Sequence, residues 1–397
     1  MSNKTSAFAN KIEGSKTLAV TAKVSELRRA GKPIIGLGAG EPDFPTPEPI
    51  CTAAKKAIDA GYTKYTANVG ILELREKIAA YLNNLGGNFL PNEIVVSSGA
   101  KQAVLNALLS TCNPGDEVLL PAPYWTSYPE QIKMASAEPV ILPTSELTEY
   151  KITAEQLEKA INNKTRMLIF NSPSNPTGAV YSKSEIDEIV KVVEKTGIFI
   201  LSDEIYLELI YDNFVSASLV AYPEIADQLL LVNGFSKAYS MTGWRVGYLA
   251  AKTPIISAAG KIQSHYTSNA CTISQYASLA AFDLDSKVLE NMKVEFARRR
   301  DYVYERFSKI HGITVPKPVG AFYIFPNISH YFGKSHGEYV IHSAMDMSTF
   351  LLESAHSAVV PGEAFGAPQN IRVSYATSME NLQSALDQIE VALQMLH

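Results

Sequence analysis

Cysteine is scarce in this sequence: Cys51, Cys112 and Cys271 are the only three in 397 residues. Odd in number, far apart and in no C-x-x-C spacing, they exclude a disulfide framework and a cysteine zinc site, and a reducing cytoplasmic compartment is expected. Excess charge of one sign is lacking too. Lys and Arg total 35 against 40 Asp and Glu, a net charge of −5, so no broad basic field exists to gather nucleic acid or an anionic membrane. No run of ~18 apolar residues occurs, and the opening MSNKTSAFANKIEGSKTLAV has neither an apolar stretch nor a small-residue cleavage site; membrane insertion and secretion are not expected. Internal repeats and low-complexity tracts are missing as well. What is present is globular: 46% hydrophobic and 19% charged residues, with 15 Phe and 20 Tyr, exclude general disorder. The length suggests two domains, or one large body with a smaller one appended.

Hydrophobic periodicity alternates along the chain. Helical patterns at CTAAKKAIDAG and LELREKIAAYLNNLG precede a strand at EIVVSS, a helix at KQAVLNALLSTC and a strand at DEVLLP. More strands read at RMLIF, IFILSD and LLLVNGF, with the helical KSEIDEIVKVVEKTG among them. This alternation predicts an α/β fold, a mostly parallel sheet covered by helices on both faces. Pro42, Pro45 and Pro47 prevent a long helix in EPDFPTPEP. After about residue 285 the charged helix VLENMKVEFARRRDYVYERFSKI leads away from the sheet, and GITVPK, AFYIFPN, HSAVVP and NIRVSYA read as short strands of a smaller α+β domain. The expected division is 46–290 for the large domain and 1–45 with 291–397 for the small one. The polar, His-rich stretch SHYFGKSHGEYVIHSA (329–344) reads as a solvated surface loop.

Ligands of an open parallel sheet bind beyond the carboxyl ends of its strands, and those ends are polar here. Ser98, Gly99 and Ala100 make a small-residue turn into a helix whose free N–H groups suit a phosphate, although such a turn alone is also an ordinary βα connection. Asn175 follows RMLIF, Asp203 and Tyr206 follow IFIL, Ser236 and Lys237 follow LLLVNGF, and Arg245 lies eight residues on. A lone lysine or aspartate at a strand end is ordinarily a surface charge or a cap. Together they form a different set: Lys for a Schiff base, Asp for a protonated pyridine nitrogen, Tyr and Asn for a phenolic oxygen, Ser and Arg for a phosphate are the demands of pyridoxal phosphate chemistry. No metal or nicotinamide site needs that combination.

These residues lie in a longer pattern, Gly234-Phe-Ser-Lys-Ala-Tyr-Ser-Met-Thr-Gly-Trp-Arg-Val-Gly247, accompanied by GLGAGEPDFPTP, YTANVG, PAPYWTSYP, NSPSNPTGAVYS, SDEIY and NIRVSYATS. Over nearly its whole length the chain resembles the class I pyridoxal-phosphate-dependent aminotransferases of the bacterial aspartate aminotransferase type (subgroup Ib). That resemblance implies fold type I architecture and reversible ping-pong transfer of an amino group from an L-amino acid, aspartate foremost, to 2-oxoglutarate. It implies that Lys237 holds pyridoxal 5'-phosphate as an internal aldimine and later shuttles a proton. Asp203 would keep the ring nitrogen protonated, Tyr206 and Asn175 would bind the 3′-oxygen, and Trp125 would stack on the ring or, failing that, simply pack in the core. The phosphate would lie against Ser98, Gly99, Ala100 and Lys101 with Ser236, Arg245 and Tyr65, the last reaching from a partner subunit. Ser268 and Asn269 fall where family members also contribute to the neighbouring site, so a two-fold homodimer with shared sites is implied. Arg372, on NIRVSYA, suits the substrate α-carboxylate bidentately, with the Gly40 backbone assisting.

Substrate choice is less determined. In the subgroup the lysine of GxKQ binds a distal carboxylate, which here is Lys101; it is equally a helix-start lysine at the phosphate. Ser15 and Thr17 lie in the segment that closes over substrate in relatives. Tyr266 stands where relatives usually carry a small hydroxyl residue, and a phenol there leaves prephenate or aromatic amino acids open beside aspartate. A β-lyase or decarboxylase of the same fold would share the Lys, Asp and Arg. A dehydrogenase is not supported, because GLGAG lacks the third spaced glycine and is followed by prolines. A non-catalytic regulator on this fold would need a DNA-binding extension, for which no residues remain.

Overall fold

The computed structural model describes residues 5–397. Its centre is a seven-stranded sheet in the order Ile94–Ser97, Gly247–Ala250, Leu229–Gly234, Phe199–Asp203, Thr165–Asn171, Glu117–Ala122, Glu138–Pro143. Gly247–Ala250 runs antiparallel to both neighbours and the other pairings are parallel. The α/β reading of the sequence is therefore correct.

The strands are continuously apolar because both faces are buried. Val118, Leu120, Met167, Ile169, Leu201, Leu230 and Val232 enter one core, while the alternate residues Leu119, Leu168, Phe170, Ile200, Leu229 and Leu231 enter another on the opposite face. Helices cap these layers by local chemistry. Lys183–Thr196, for example, starts at a capping box of Ser182 and Glu185 and stops at Gly197, whose φ of 70° provides the left-handed turn.

A further core gathers Phe296, Val303 and Phe307 of the long helix Ser286–Lys309 with Phe322, Tyr323, Val373 and Leu386. It also takes Leu37, and Ile35–Gly36 pairs in parallel with Ser357–Ala358. Ile205, Tyr206, Leu209 and Tyr211, from just beyond the central strand Phe199–Asp203, belong to this core too. The segment after that strand thus ties the two bodies together.

Several local expectations are corrected. Glu138–Pro143 and Gly247–Ala250 are strands that the sequence reading passed over: the first is an edge strand, where its prolines cost no ladder bond. GITVPK contributes only an isolated bridge, Thr314 to Asn327, not a strand. The 329–344 stretch is not a solvated loop: Ser335–His336 and Tyr339–Val340 form a small hairpin, and Tyr331 and Ile341 are buried. Its few apolar side chains anchor it although its composition is polar.

Among the described residues, no helix is long and apolar enough to cross a membrane, and no cluster of His, Cys, Asp or Glu is placed to hold a metal ion.

Candidate active site

Parallel register puts the ends of the strands at one edge. Asn171 pairs with Asp203, Asp203 with Val232, and both Ser97 and Gly234 with Gly247. The residues that follow converge on a cavity of about 370 Å³ between the sheet edge and the second core. Its lining includes Thr17, Gly40, Ala100, Lys101, Trp125, Asn175, Asp203, Tyr206, Ser236, Lys237, Arg245 and Arg372. Twelve positions proposed from sequence thus share one space.

Lys237 is held by a hydrogen bond from its Nζ to the Gly40 carbonyl. Burial lowers its pKa to about 8, against the pull of Glu41, with Arg372 and Arg245 adding to the depression. A substantial neutral fraction near neutrality is what a nucleophilic amine and proton carrier needs. Asp203 is buried, and burial raises its pKa to about 6 despite hydrogen bonds from Tyr128 Oη at 2.7 Å and the Ile205 amide at 3.2 Å. Tyr206 Oη lies 2.9 Å from Tyr323 Oη, and burial holds its pKa well above the usual phenol value, so it remains a donor.

Arg372 is 2% exposed, on the strand Ile371–Ser374. Its guanidinium donates to Asn175 Oδ1 at 2.9 Å and to the Gly38 carbonyl at 2.8 Å, and lies over the Tyr323 ring at 4.5 Å. Its Nε is buried with no partner, and no carboxylate of the described residues pairs with it. A buried guanidinium in that state is suited to an incoming carboxylate.

At the other end, helix Ala100–Thr111 begins without a side-chain cap after Gly99, whose φ is 81°. Its first amides are therefore free for an anion. Packing there is tight enough to require glycine: a Cβ on Gly99 would lie 2.6 Å from Arg245, and one on Gly247 2.3 Å from the Ala100 nitrogen. Arg245, itself at φ 55°, donates to the Thr242 and Ser98 carbonyls at 2.9 and 3.3 Å. These residues fit pyridoxal phosphate: an anion cradle at one end, an amine in the middle, and a buried carboxylate and phenol beside it. Lys101 carries its ammonium over the Trp125 ring at 5.0 Å, and partial desolvation, with Arg245 nearby, lowers its pKa.

Other expected residues lie elsewhere. Ser98 and Tyr266 line a neighbouring cavity of about 610 Å³ that shares Lys101 and Arg245 with the first. Ser15 borders that second cavity and bonds to Thr17 Oγ1 at 2.9 Å. Tyr65 is 90% exposed and borders neither, nor do Ser268 and Asn269. The sequence reading missed Tyr128, Tyr323, Asn171, Gly38, Glu41 and Thr242. Tyr128 stands in the quoted PAPYWTSYP segment, three residues after Trp125, and could have been found there. Tyr323 in AFYIFPN carried no such signal, because an aromatic in an apolar run reads as core.

Known proteins resemble this chain over nearly its whole length. Residues 32–389 match the family described as aminotransferase class I and II. The chain is 46% identical over 384 residues to an aspartate/prephenate aminotransferase of Cereibacter sphaeroides, covering 96% of each. It is 44% identical to a bifunctional aspartate aminotransferase and glutamate/aspartate-prephenate aminotransferase of Petunia hybrida, covering 97% of this chain and 81% of that one. Among solved structures, an aspartate aminotransferase from Rhizobium meliloti superposes with a TM-score of 0.95 at 39% identity, with full coverage of both chains.

Proposed function

The chain belongs to the class I and II aminotransferase family, and from that premise we propose that aspartate is its preferred amino donor and 2-oxoglutarate its acceptor. The protein is a pyridoxal-phosphate-dependent aminotransferase acting on an amino acid and a 2-oxo acid. The observation that carries the choice of aspartate is a pair of cations on one cavity, Arg372 and Lys101, neither paired with a carboxylate of the described residues. A dicarboxylic amino acid satisfies both, and a monocarboxylic one leaves Lys101 unmatched.

The bound cofactor supplies an electron sink conjugated to the substrate Cα. Around it the side chains divide the work. Lys237 offers its amine for attachment and carries the proton on and off carbon. Asp203 ionises fully when a cation approaches it, and Tyr128 fixes the oxygen it presents. Tyr206 and Asn175 would donate to its phenolic oxygen, and the Ala100 and Lys101 amides with Ser236 and Arg245 would hold its phosphate. Arg372 grips the α-carboxylate, while Thr17 and Trp125 cover the substrate and exclude water.

Tyr65, which stands clear of its own cavity, reaches the site of a second copy in a two-fold homodimer. The three free cysteines are consistent with a cytoplasmic home. A second reading, prephenate as an alternative oxo acid, is supported by the open space beyond Lys101 beside Tyr266, where a ring-bearing dicarboxylate would have room. The test is a panel of half-reactions, following the bound chromophore as holoenzyme is mixed with aspartate, glutamate, alanine, phenylalanine or tyrosine. Aspartate and glutamate should react fastest; faster conversion by phenylalanine or tyrosine would overturn the assignment.

A further inference from the structure

Between the two bodies runs an extended strap, residues 35–46, and it crosses the cavity. At its start the Ile35 and Leu37 amides donate to the His356 and Ala358 carbonyls, each at 2.8 Å, and the Leu37 carbonyl accepts from the Ser374 amide at 2.7 Å. At its end Thr46 Oγ1 donates to the Ser240 carbonyl at 2.7 Å and accepts from Trp244 Nε1 at 2.9 Å. In between, the Gly38 carbonyl accepts from Arg372, the Gly40 carbonyl from Lys237, and the Glu41 carboxylate from Thr242 Oγ1 at 2.9 Å. The strap's backbone carbonyls thus touch both Arg372 and Lys237.

Glycine carries the two contacting carbonyls, so the strap is pliable where it matters most. Its other half is stiff, because Pro42 and Pro45 each lock φ. One strong tie sits between those prolines: Asp43 Oδ1 accepts from Arg299 Nη1 at 2.7 Å. The Arg299 side chain is only 7% exposed; it also donates to Glu295 at 2.8 Å and lies over the rings of Phe44 and Phe296. Phe44 in turn packs edge-on against Phe296, which stacks on Phe322. An ion pair whose arginine is buried, on a stiff segment close to a pliable one, fixes where the pliable one lies.

We propose that the Asp43–Arg299 ion pair is a positioning clamp for the substrate-carboxylate site: it seats the strap so that the Gly38 carbonyl turns the Arg372 guanidinium, leaving its remaining N–H groups toward the cavity. Asp43 and Arg299 touch no substrate; they act through the strap. The inference rests on the aminotransferase reading for its ligand and on the strap geometry for its mechanism, and the experiment separates the two.

Succinate, an unreactive four-carbon dicarboxylate, is titrated into holoenzyme by its effect on the bound chromophore, and hydrogen exchange is measured across residues 37–42, at every amide, Pro42 having none. Asp43→Asn should weaken succinate on the order of tenfold, as expected for a small misplacement of an anchoring group. Exchange at 37–42 should quicken while the cofactor dissociation constant stays unchanged, and Asp43→Glu should restore part of the succinate affinity. Arg299→Lys, which keeps the charge but loses the fork, should fall between. Succinate affinity and exchange equal to wild type in folded Asp43→Asn would overturn the clamp, as would a lowered Tm as the sole effect. If wild-type protein does not respond to succinate, the functional reading fails, and exchange at 37–42 alone then decides whether the pair seats the strap.

Discussion

Burial shifts the titration of Lys237 and Asp203 and leaves the Arg372 guanidinium without a carboxylate partner. The Lys237 amine, pushed down to about 8 by burial, loses its proton as pH rises through that value. In cofactor-free protein, reductive methylation of Lys237 should therefore rise with a midpoint near pH 8. Glu41→Gln should move the midpoint lower, since Glu41 favours the charged amine. Labelled-peptide mass spectrometry over a pH series measures both, and a midpoint near that of a free lysine would show the amine to be solvated. In the holoenzyme, borohydride should fix the cofactor on Lys237, and Lys237→Ala should bind cofactor non-covalently yet lose nearly all turnover.

Asp203→Ala should cost on the order of a thousandfold or more in kcat, whereas Asp203→Glu should keep part of the rate, because the ring nitrogen needs an anion beside it. Equal rates in the two variants would assign that role elsewhere. Lys101→Ser should reduce kcat/KM for aspartate and glutamate by about 2–4 kcal/mol of transition-state binding and affect phenylalanine less. Competition between aspartate and phenylalanine reads this directly. The chemical identity of Lys237 and Asp203 was legible because each ends an apolar run at the sheet edge, whereas Arg372, inside the strand Ile371–Ser374, and Lys101, in a helix, were read through the family resemblance. The partners of Tyr128 and Tyr323 were not legible, since a phenol's partner is chosen by packing across the cavity rather than by its neighbours in the chain.

At the scale of elements, the proposed phosphate end depends on three pieces meeting closely: the start of helix Ala100–Thr111, the strand Gly247–Ala250 and the Arg245 loop. Gly247→Ala would place a methyl 2.3 Å from the Ala100 nitrogen, so the helix start must move. The expected outcome is an increase of about tenfold or more in the cofactor dissociation constant, since anion binding by helix amides is sensitive to their placement, together with a lower Tm. Fluorescence titration of the apoprotein with pyridoxal phosphate decides it. The helix and the central parallel strands were readable from period and apolar runs. Gly247–Ala250 was not, because it is a four-residue strand embedded in a polar signature, and its pairing with Ile94–Ser97 joins the first and last strands of the sheet's sequence. The 329–344 hairpin was hidden for the opposite reason: polar composition masked two buried anchors, Tyr331 and Ile341.

At the scale of the whole molecule, the site is a seam between the strand ends and a second core, and it is completed by a neighbour if Tyr65 acts across a two-fold axis. Mixing a Tyr65→Ala variant with a Lys237→Ala variant, each inactive, should restore about a quarter of wild-type activity, because random exchange makes half the dimers hybrids with one intact site of two. No recovery after confirmed subunit exchange would place Tyr65 outside the partner's site. The sequence by itself determined the α/β class, the order of the strand-end residues and the chemistry they serve, because those follow from local periodicity and from side-chain types adjacent to apolar runs. Tertiary structure alone decided that Gly38 and Gly40 face Arg372 and Lys237, that Tyr128 meets Asp203, and that Arg299 reaches Asp43 across 256 residues. Those contacts join segments far apart in the chain, and their geometry is set by how two cores pack, which no local pattern encodes.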